Sequence, residues 1–248
     1  MLAKQIRSLQ HKLVKEAVRL RKERRYREEK GLVLVSGKKM IEELSQHLPP
    51  KALFFTEIPL PCSKGALYKV TKPVLEKITG MPSPDGHAAL FPKRRLPVSI
   101  SSPLLILDGV QDPGNVGTLF RTALGLGWKG IILLENTADP WGEKALRASK
   151  GAAFHMPHEE KTAVEISSLL QAKGFHTYLA DTKGLSLEEA LSKSPKAFAL
   201  VLSREGKGLS SHDYPSPIKI TLPMQPSTES YNVASAGSIL LYLLRPHE

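Results

Sequence analysis

From Leu104 onward, short apolar runs alternate with helical stretches, and this alternation constrains the fold more than any other feature of the chain. LLILDGV, GIILLE, HTYLA, FALVLS and IKITL read as strands. Residues 116–125, 144–150, AVEISSLLQAKG and 230–244 read as helices. Strands that are apolar throughout, rather than at every second residue, belong to a parallel sheet covered on both faces. The pattern predicts an α/β domain over residues 104–248.

Upstream, the composition shifts twice. Residues 1–30 hold eleven Lys and Arg against four Glu, a net +7 of the chain's +11. Leu2, Ile6, Leu9, Leu13 and Leu20 recur at spacings that predict one basic amphipathic helix over 1–30. Its polar face suits a phosphate backbone. A membrane-surface helix is the rival, weakened by the lack of Trp and Phe on the apolar face. Residues 31–92 read as a small α/β unit, with strands LVLVSG, ALFFTE, LYKV and HAALF and helices KKMIEELSQHL and TKPVLEKITG. Residues 93–103, rich in basic residues, Pro and Ser, read as a linker.

Of the 248 residues, 41% are hydrophobic, enough for a sizeable core. The net charge of +11 favours a polyanionic partner and says nothing about fold. The single cysteine, Cys62, allows no internal disulfide and fits a reducing cytoplasm. No stretch of 18 apolar residues predicts a membrane span, and MLAKQIRSLQ lacks the apolar core of a secretory signal. His155 and His158 have HxxH spacing but sit in a Met-Pro turn without a third ligand type, so no metal is expected.

Ligands of parallel sheets bind beyond the carboxyl ends of the strands. Three strand ends here are unusual. The first, DGVQDPGNVGTLFRTALGLG, has glycines that allow close backbone approach. The spacing from Gly109 to Gly114 matches a phosphate loop, but Asn115-Val116 replaces the Lys-Ser/Thr that such a loop requires. Arg121 stands among Leu119, Phe120, Ala123 and Leu124, so it needs an anionic or carbonyl partner, either an internal carboxylate or an RNA phosphate. In the second, LVLSREGKGLS, Glu205 leaves the strand tip beside Gly206 and Gly208. In the third, ITLPMQPSTESYNVASAG, Pro223 and Pro226 keep the loop irregular, and Ser230 or Asn232 can cap the last helix.

Together, NVGTLFRTA, SREGKGLS and LPMQPSTESYNVASA, in that order, resemble the three motifs of the SpoU/TrmH family of RNA ribose methyltransferases. The intervening KALRASKGAAFHMP is similar to the family's segment between its first two motifs. The resemblance covers residues 104–245 firmly and 31–92, as an RNA substrate-binding domain, more loosely. It implies a knotted α/β fold in which the C-terminal segment threads a loop. It also implies a homodimer burying the helices around 116–126 and 230–244, and S-adenosylmethionine as cofactor. Asn115, Arg121, Glu205, Ser230 and Asn232 match the family's catalytic positions. Ser203, Gly206, Leu222, Met224, Tyr231 and Asn232 match the positions that hold the cofactor, largely through backbone. Ser203 and Tyr231 stand where the family usually has Gly and Leu. The reaction so implied is methyl transfer to a ribose 2′-hydroxyl of ribosomal or transfer RNA. The Asn115/Arg121 pair favours ribose over base methylation. The rival from another class is a non-catalytic RNA-binding protein that retains the fold.

Overall fold

The computed structural model describes residues 3–61, 65–191, 197–203 and 214–246. The chain divides into two compact units, residues 1–94 with 141–151, and residues 95–140 with 152–248.

In the first unit, the strands are β1 (Lys4–Ile6), β2 (Leu32–Ser36), β3 (Ala52–Phe55), β4 (Ala66–Val70) and β5 (His87–Pro92). They form one sheet in the order β1-β4-β3-β5-β2. β1, β4 and β3 are parallel, and β5 runs antiparallel to both of its neighbours. Helices α1 (Lys12–Lys22), α2 (Arg24–Lys30), α3 (Lys38–Ser45) and α4 (Lys72–Thr79) flank it. Val14, Ala17 and Leu20 of α1 pack with Val74, Leu75 and Ile78 of α4 over Phe54 and Leu90 of the sheet. Each large side chain buried in this way contributes about 1.5–3 kcal/mol.

The single helix predicted over 1–30 is not what forms. Residues 4–6 are a strand beside β4, with Ile6 buried. The helical part breaks at Glu23, whose backbone is extended (φ −107°, ψ 110°). Arg27 explains the break. One of the basic residues from which the sequence predicted a polar face suited to a phosphate backbone, it is only 4% exposed. Nη1 donates to the carbonyls of Leu20 (2.7 Å) and Arg21 (3.0 Å). These are end-of-helix acceptors that α1 cannot satisfy itself.

The second unit holds a six-stranded, wholly parallel sheet. Its strands are β6 (Leu104–Asp108), β7 (Gly130–Leu133), β8 (His158–Glu160), β9 (His176–Leu185), β10 (Phe198–Ser203) and β11 (Pro217–Ile220), in the order β11-β9-β10-β6-β7-β8. β6 and β7 are buried at every residue, as their unbroken apolar sequence requires. Helices α5 (Pro113–Gly125), α7 (Ala163–Ala172), α8 (Leu187–Leu191) and α9 (Val233–Leu243) accompany the sheet. Leu104, Ile106 and Val201 face Ile166 and Leu170 of α7. On the opposite side, Leu202, in register with Leu107, meets α9 at Gly237.

Helix α6 (Glu143–Ser149) interrupts the second unit in sequence but folds with the first. Gly151, just beyond it, lies against Met40 of α3, and Arg147 Nη1 reaches Met81 Sδ at 3.3 Å. The strand β8 has no counterpart among the strands expected from sequence. Three polar residues, His-Glu-Glu, form no apolar run, and only pairing with β7 makes them a strand. No described helix is long and apolar enough to cross a membrane.

Candidate active site

The chemistry-bearing ends of the second unit are assembled by two parallel helices. α5 starts three residues earlier than its apolar pattern predicts, because the Asp112 carboxylate accepts from Asn115 N–H (3.0 Å) and Pro113 opens the first turn. α9 starts at Val233, capped by Asn232, whose Oδ1 accepts from Ala234 N–H (2.9 Å) and Ser235 N–H (3.3 Å). The two helices lie side by side. Asn232 meets Asn115 at their N-terminal ends, Thr122 and Ser238 share a hydroxyl hydrogen bond of 3.3 Å midway, and Trp128 Nε1 donates to Leu241 O at 3.2 Å beyond. Close approach is possible because residue 237 is glycine. A Cβ there would fall 2.5 Å from both Leu119 Cδ2 and Leu202 Cδ1. The result is two positive helix ends pointing the same way, a setting that favours an anionic group.

These helix ends share a neighbourhood with the carboxyl ends of β6 and β10. Asp108 and Ser203 are the last paired residues of the two strands and lie in register. The chain leaves β6 through Gly109 at φ 68°, a left-handed turn that glycine makes without strain. Thr137 fixes this turn, its hydroxyl donating to Leu107 O (2.9 Å) and accepting from Gly109 N–H (3.1 Å). Asp108 is buried, and the Tyr214 hydroxyl donates to its Oδ2 at 3.5 Å. Sequence reasoning did not single out Asp108 or Thr137. An acid ending an apolar strand was the available signal for the first, whereas Thr137 is brought in from a loop and left none.

Of the residues expected to carry catalysis, Asn115 and Asn232 are joined directly, with Asn232 Nδ2 donating to Asn115 Oδ1 at 3.3 Å. Ser230 and Tyr231 precede Asn232 on the exposed loop. Arg121 lies two turns along α5, about 9 Å from Asn115 at 1.5 Å per residue. It is exposed, with no hydrogen bond or ion pair among the described residues. Of the two partners the sequence left open, an internal carboxylate is not needed, because Leu119, Phe120 and Ala123 face inward while Arg121 faces water. Glu205 and Gly206 lie outside the described residues.

The backbone of the third loop is available to a ligand. Thr221 is tied down, its N–H donating to Leu185 O and its hydroxyl reaching Thr182 O. The N–H groups of Leu222, Met224 and Tyr231 bond to nothing among the described residues. The Tyr231 hydroxyl donates to Pro223 O (3.1 Å) and closes the loop on itself. Ser203, where a glycine is usual, sits at the end of β10 without a positive φ, so its side chain does not force the backbone away from the form a glycine would take. The loop, the strand end and the paired helix ends fit a cofactor held by its polar edges. Nearby, His158 is structural. Its Nδ1 lies 2.7 Å from Met156 O, and its ring packs edge-on against Phe120 at 5.1 Å.

Residues 102–242 match the model of the SpoU rRNA Methylase family, and residues 11–89 match that of the MRM3-like substrate binding domain. The 23S rRNA (guanosine(2553)-2′-O)-methyltransferase RlmP of Bacillus subtilis is 29% identical over 98% of this chain and 99% of its own length. The human mitochondrial rRNA methyltransferase 3 is 32% identical over 69% of this chain, which spans 45% of that protein. Among solved structures, an AdoMet-bound rRNA methyltransferase from Sinorhizobium meliloti superposes with a TM-score of 0.82 at 25% identity, covering 97% of this chain and 96% of the other.

Proposed function

Because the chain belongs to the SpoU rRNA methylase family and is an S-adenosylmethionine-dependent RNA 2′-O-methyltransferase, we propose that its substrate is ribosomal RNA and that the Asn115–Asn232 junction is the centre of its active site. The observation that carries this reading is that junction itself, where two helix N-termini meet next to the paired ends of β6 and β10.

S-adenosylmethionine supplies an electrophilic methyl group on a sulfonium. The work left to the chain is to bind, orient and remove a proton. The backbone of Leu222, Met224 and Tyr231, with Ser203 at the second strand end and with Gly206, holds the cofactor. Asn115, Glu205 and Ser230 orient the ribose hydroxyl, and Asn232 bridges cofactor and ribose. Holding the hydroxyl in line supplies much of the rate, since the donor is already activated. Arg121, free among the described residues and facing outward, grips the phosphate beside the target ribose. A guanidinium is a poor base, so the hydroxyl proton leaves to that phosphate or to water.

The same reading includes a cytoplasmic homodimer. Leu124 of α5 and Ile239, Tyr242 and Leu243 of α9 are large apolar residues exposed on two adjacent helices. A second copy of the chain would cover them.

Two measurements test the proposal. Calorimetry with S-adenosylmethionine should show binding that is weakened by substitutions in the loop 221–232. Mapping ribose methylation in cellular RNA with and without the protein should reveal one missing mark in ribosomal RNA. A missing mark confined to transfer RNA would overturn the substrate assignment.

A further inference from the structure

Helix α6 comes from the methyltransferase half of the sequence yet belongs to the N-terminal unit. Its inner face is buried, with Ala145 and Leu146 packed inward, and Trp141 just before the helix is buried too. Its outer face carries Lys144, Arg147 and Lys150, all exposed and three residues apart. Residues at this spacing lie on one side of a helix, about 4.5 Å apart along the axis.

Two details set this face apart from an ordinary solvated surface. Arg147 is held in place, with Nη1 2.9 Å from Glu143 Oε1 and 3.3 Å from Met81 Sδ, while its side chain remains 51% exposed. Lys150 ends the helix in the left-handed region (φ 51°, ψ 38°), a position that normally selects glycine or asparagine. A lysine there is strained, and its ammonium makes no hydrogen bond or ion pair among the described residues. The backbone N–H groups of Lys150 and Gly151 close the helix onto Arg147 O (3.2 Å) and Leu146 O (3.1 Å), which leaves the Lys150 ammonium available to a partner outside the fold.

The outer face of α6 also has no exposed large apolar residue, so it lacks what a membrane-surface helix requires. A row of cations without apolar neighbours fits a phosphate backbone in water. We infer that the exposed face of α6, through Lys144, Arg147 and Lys150, binds backbone phosphates of the substrate RNA and gives the N-terminal unit an additional RNA-binding surface, an assignment that rests on RNA being the substrate.

The test uses the whole chain with Lys144→Ala and Lys150→Gly, alone and combined, and Lys173→Ala at the exposed end of α7 as a charge-matched control. Lys150→Gly is informative because its two effects have opposite signs. Glycine relieves the left-handed strain, so the melting temperature should hold or rise while RNA affinity falls. Binding of labelled bulk ribosomal RNA is measured across a salt series. Each phosphate that is no longer neutralised should flatten the log–log salt dependence by about 0.7–0.9. The double variant should therefore have a slope shallower by about 1.4–1.8, raise KM for RNA, leave kcat unchanged and leave the heat of S-adenosylmethionine binding unchanged. A slope equal to that of the wild type and of Lys173→Ala overturns the inference, whatever the methylation assay reads. A wild-type protein that binds ribosomal RNA without methylating it would count against the catalytic reading, and the slopes would still decide the role of α6.

Discussion

Asn232 and Asn115, 117 positions apart, meet through one side-chain hydrogen bond of 3.3 Å that joins the first turns of two parallel helices. The orientation of the Asn232 amide follows from its surroundings. The backbone N–H groups of Ala234 and Ser235 need an acceptor, so Oδ1 turns to them and Nδ2 is left for Asn115.

That division of labour separates stability from catalysis. Asn232→Asp keeps an equally good cap at a helix N-terminus but has no donor for Asn115. Its unfolding midpoint should stay near that of the wild type, while kcat/KM falls by about tenfold or more, the equivalent of one hydrogen bond of about 1.4 kcal/mol. Asn232→Ala should in addition cost about 1 kcal/mol of stability through removal of the cap. Urea unfolding and methyl-transfer kinetics on both variants check this.

Arg121 makes no bond among the described residues and is exposed, so Arg121→Ala should change stability by no more than about 0.5 kcal/mol. Calorimetry should show unchanged S-adenosylmethionine binding, and methyl transfer to RNA should be abolished. Turnover like that of the wild type would refute the phosphate-gripping role.

Gly237 is fixed by packing. Leu119 and Leu202, both buried, leave no room for a side chain. Gly237→Val should overpack the α5–α9 interface and cost about 1–3 kcal/mol in urea unfolding. Because the same packing aligns Asn115 with Asn232, activity should fall further than the decrease in folded protein explains.

Ile239, at 43% exposure, and Tyr242, at 53%, stand on the outer side of α9. If a second copy covers them, Ile239→Arg should shift sedimentation from dimer to monomer with little change in the far-ultraviolet circular dichroism. A variant that sediments like the wild type would remove this face from the dimer interface.

At the start of α7, Thr162 and Glu165 form a reciprocal cap, with Glu165 Oε2 accepting from Thr162 N–H and hydroxyl at 2.8 Å each. These bonds hold the Glu165 carboxyl below its ordinary range, the backbone N–H contributing most. A carboxyl depressed in the folded state stabilises above its unfolded pKa, and the contribution disappears as pH falls through the folded value. Glu165→Gln should therefore be less stable than the wild type at neutral pH. The two should converge below the ordinary glutamate range, about pH 4.3. Thermal melts across pH check the convergence.

Most of the second unit could be read from the sequence, because its determinants are local. LLILD and GIIL are apolar at every residue, and a strand can bury both faces only inside a parallel sheet. The family resemblance likewise grouped Asn115, Arg121 and Asn232 as expected site residues, of which the fold joins Asn115 and Asn232 directly. Where the sequence failed, the cause was a partner distant in the chain. Lys4–Ile6 is a strand only because β4 lies beside it, and Arg27 looks like surface charge until the carbonyls of Leu20 and Arg21 turn toward it. Helix α6 shows the same limit, since its periodicity indicates a helix but not the unit it joins. The sequence alone determined most strands and helices of the second unit, because backbone preference and hydrophobic period act over a few residues. The tertiary structure decided which of them meet, because a hydrogen bond such as Asn232–Asn115 depends on how two helices pack and leaves no periodic trace in either.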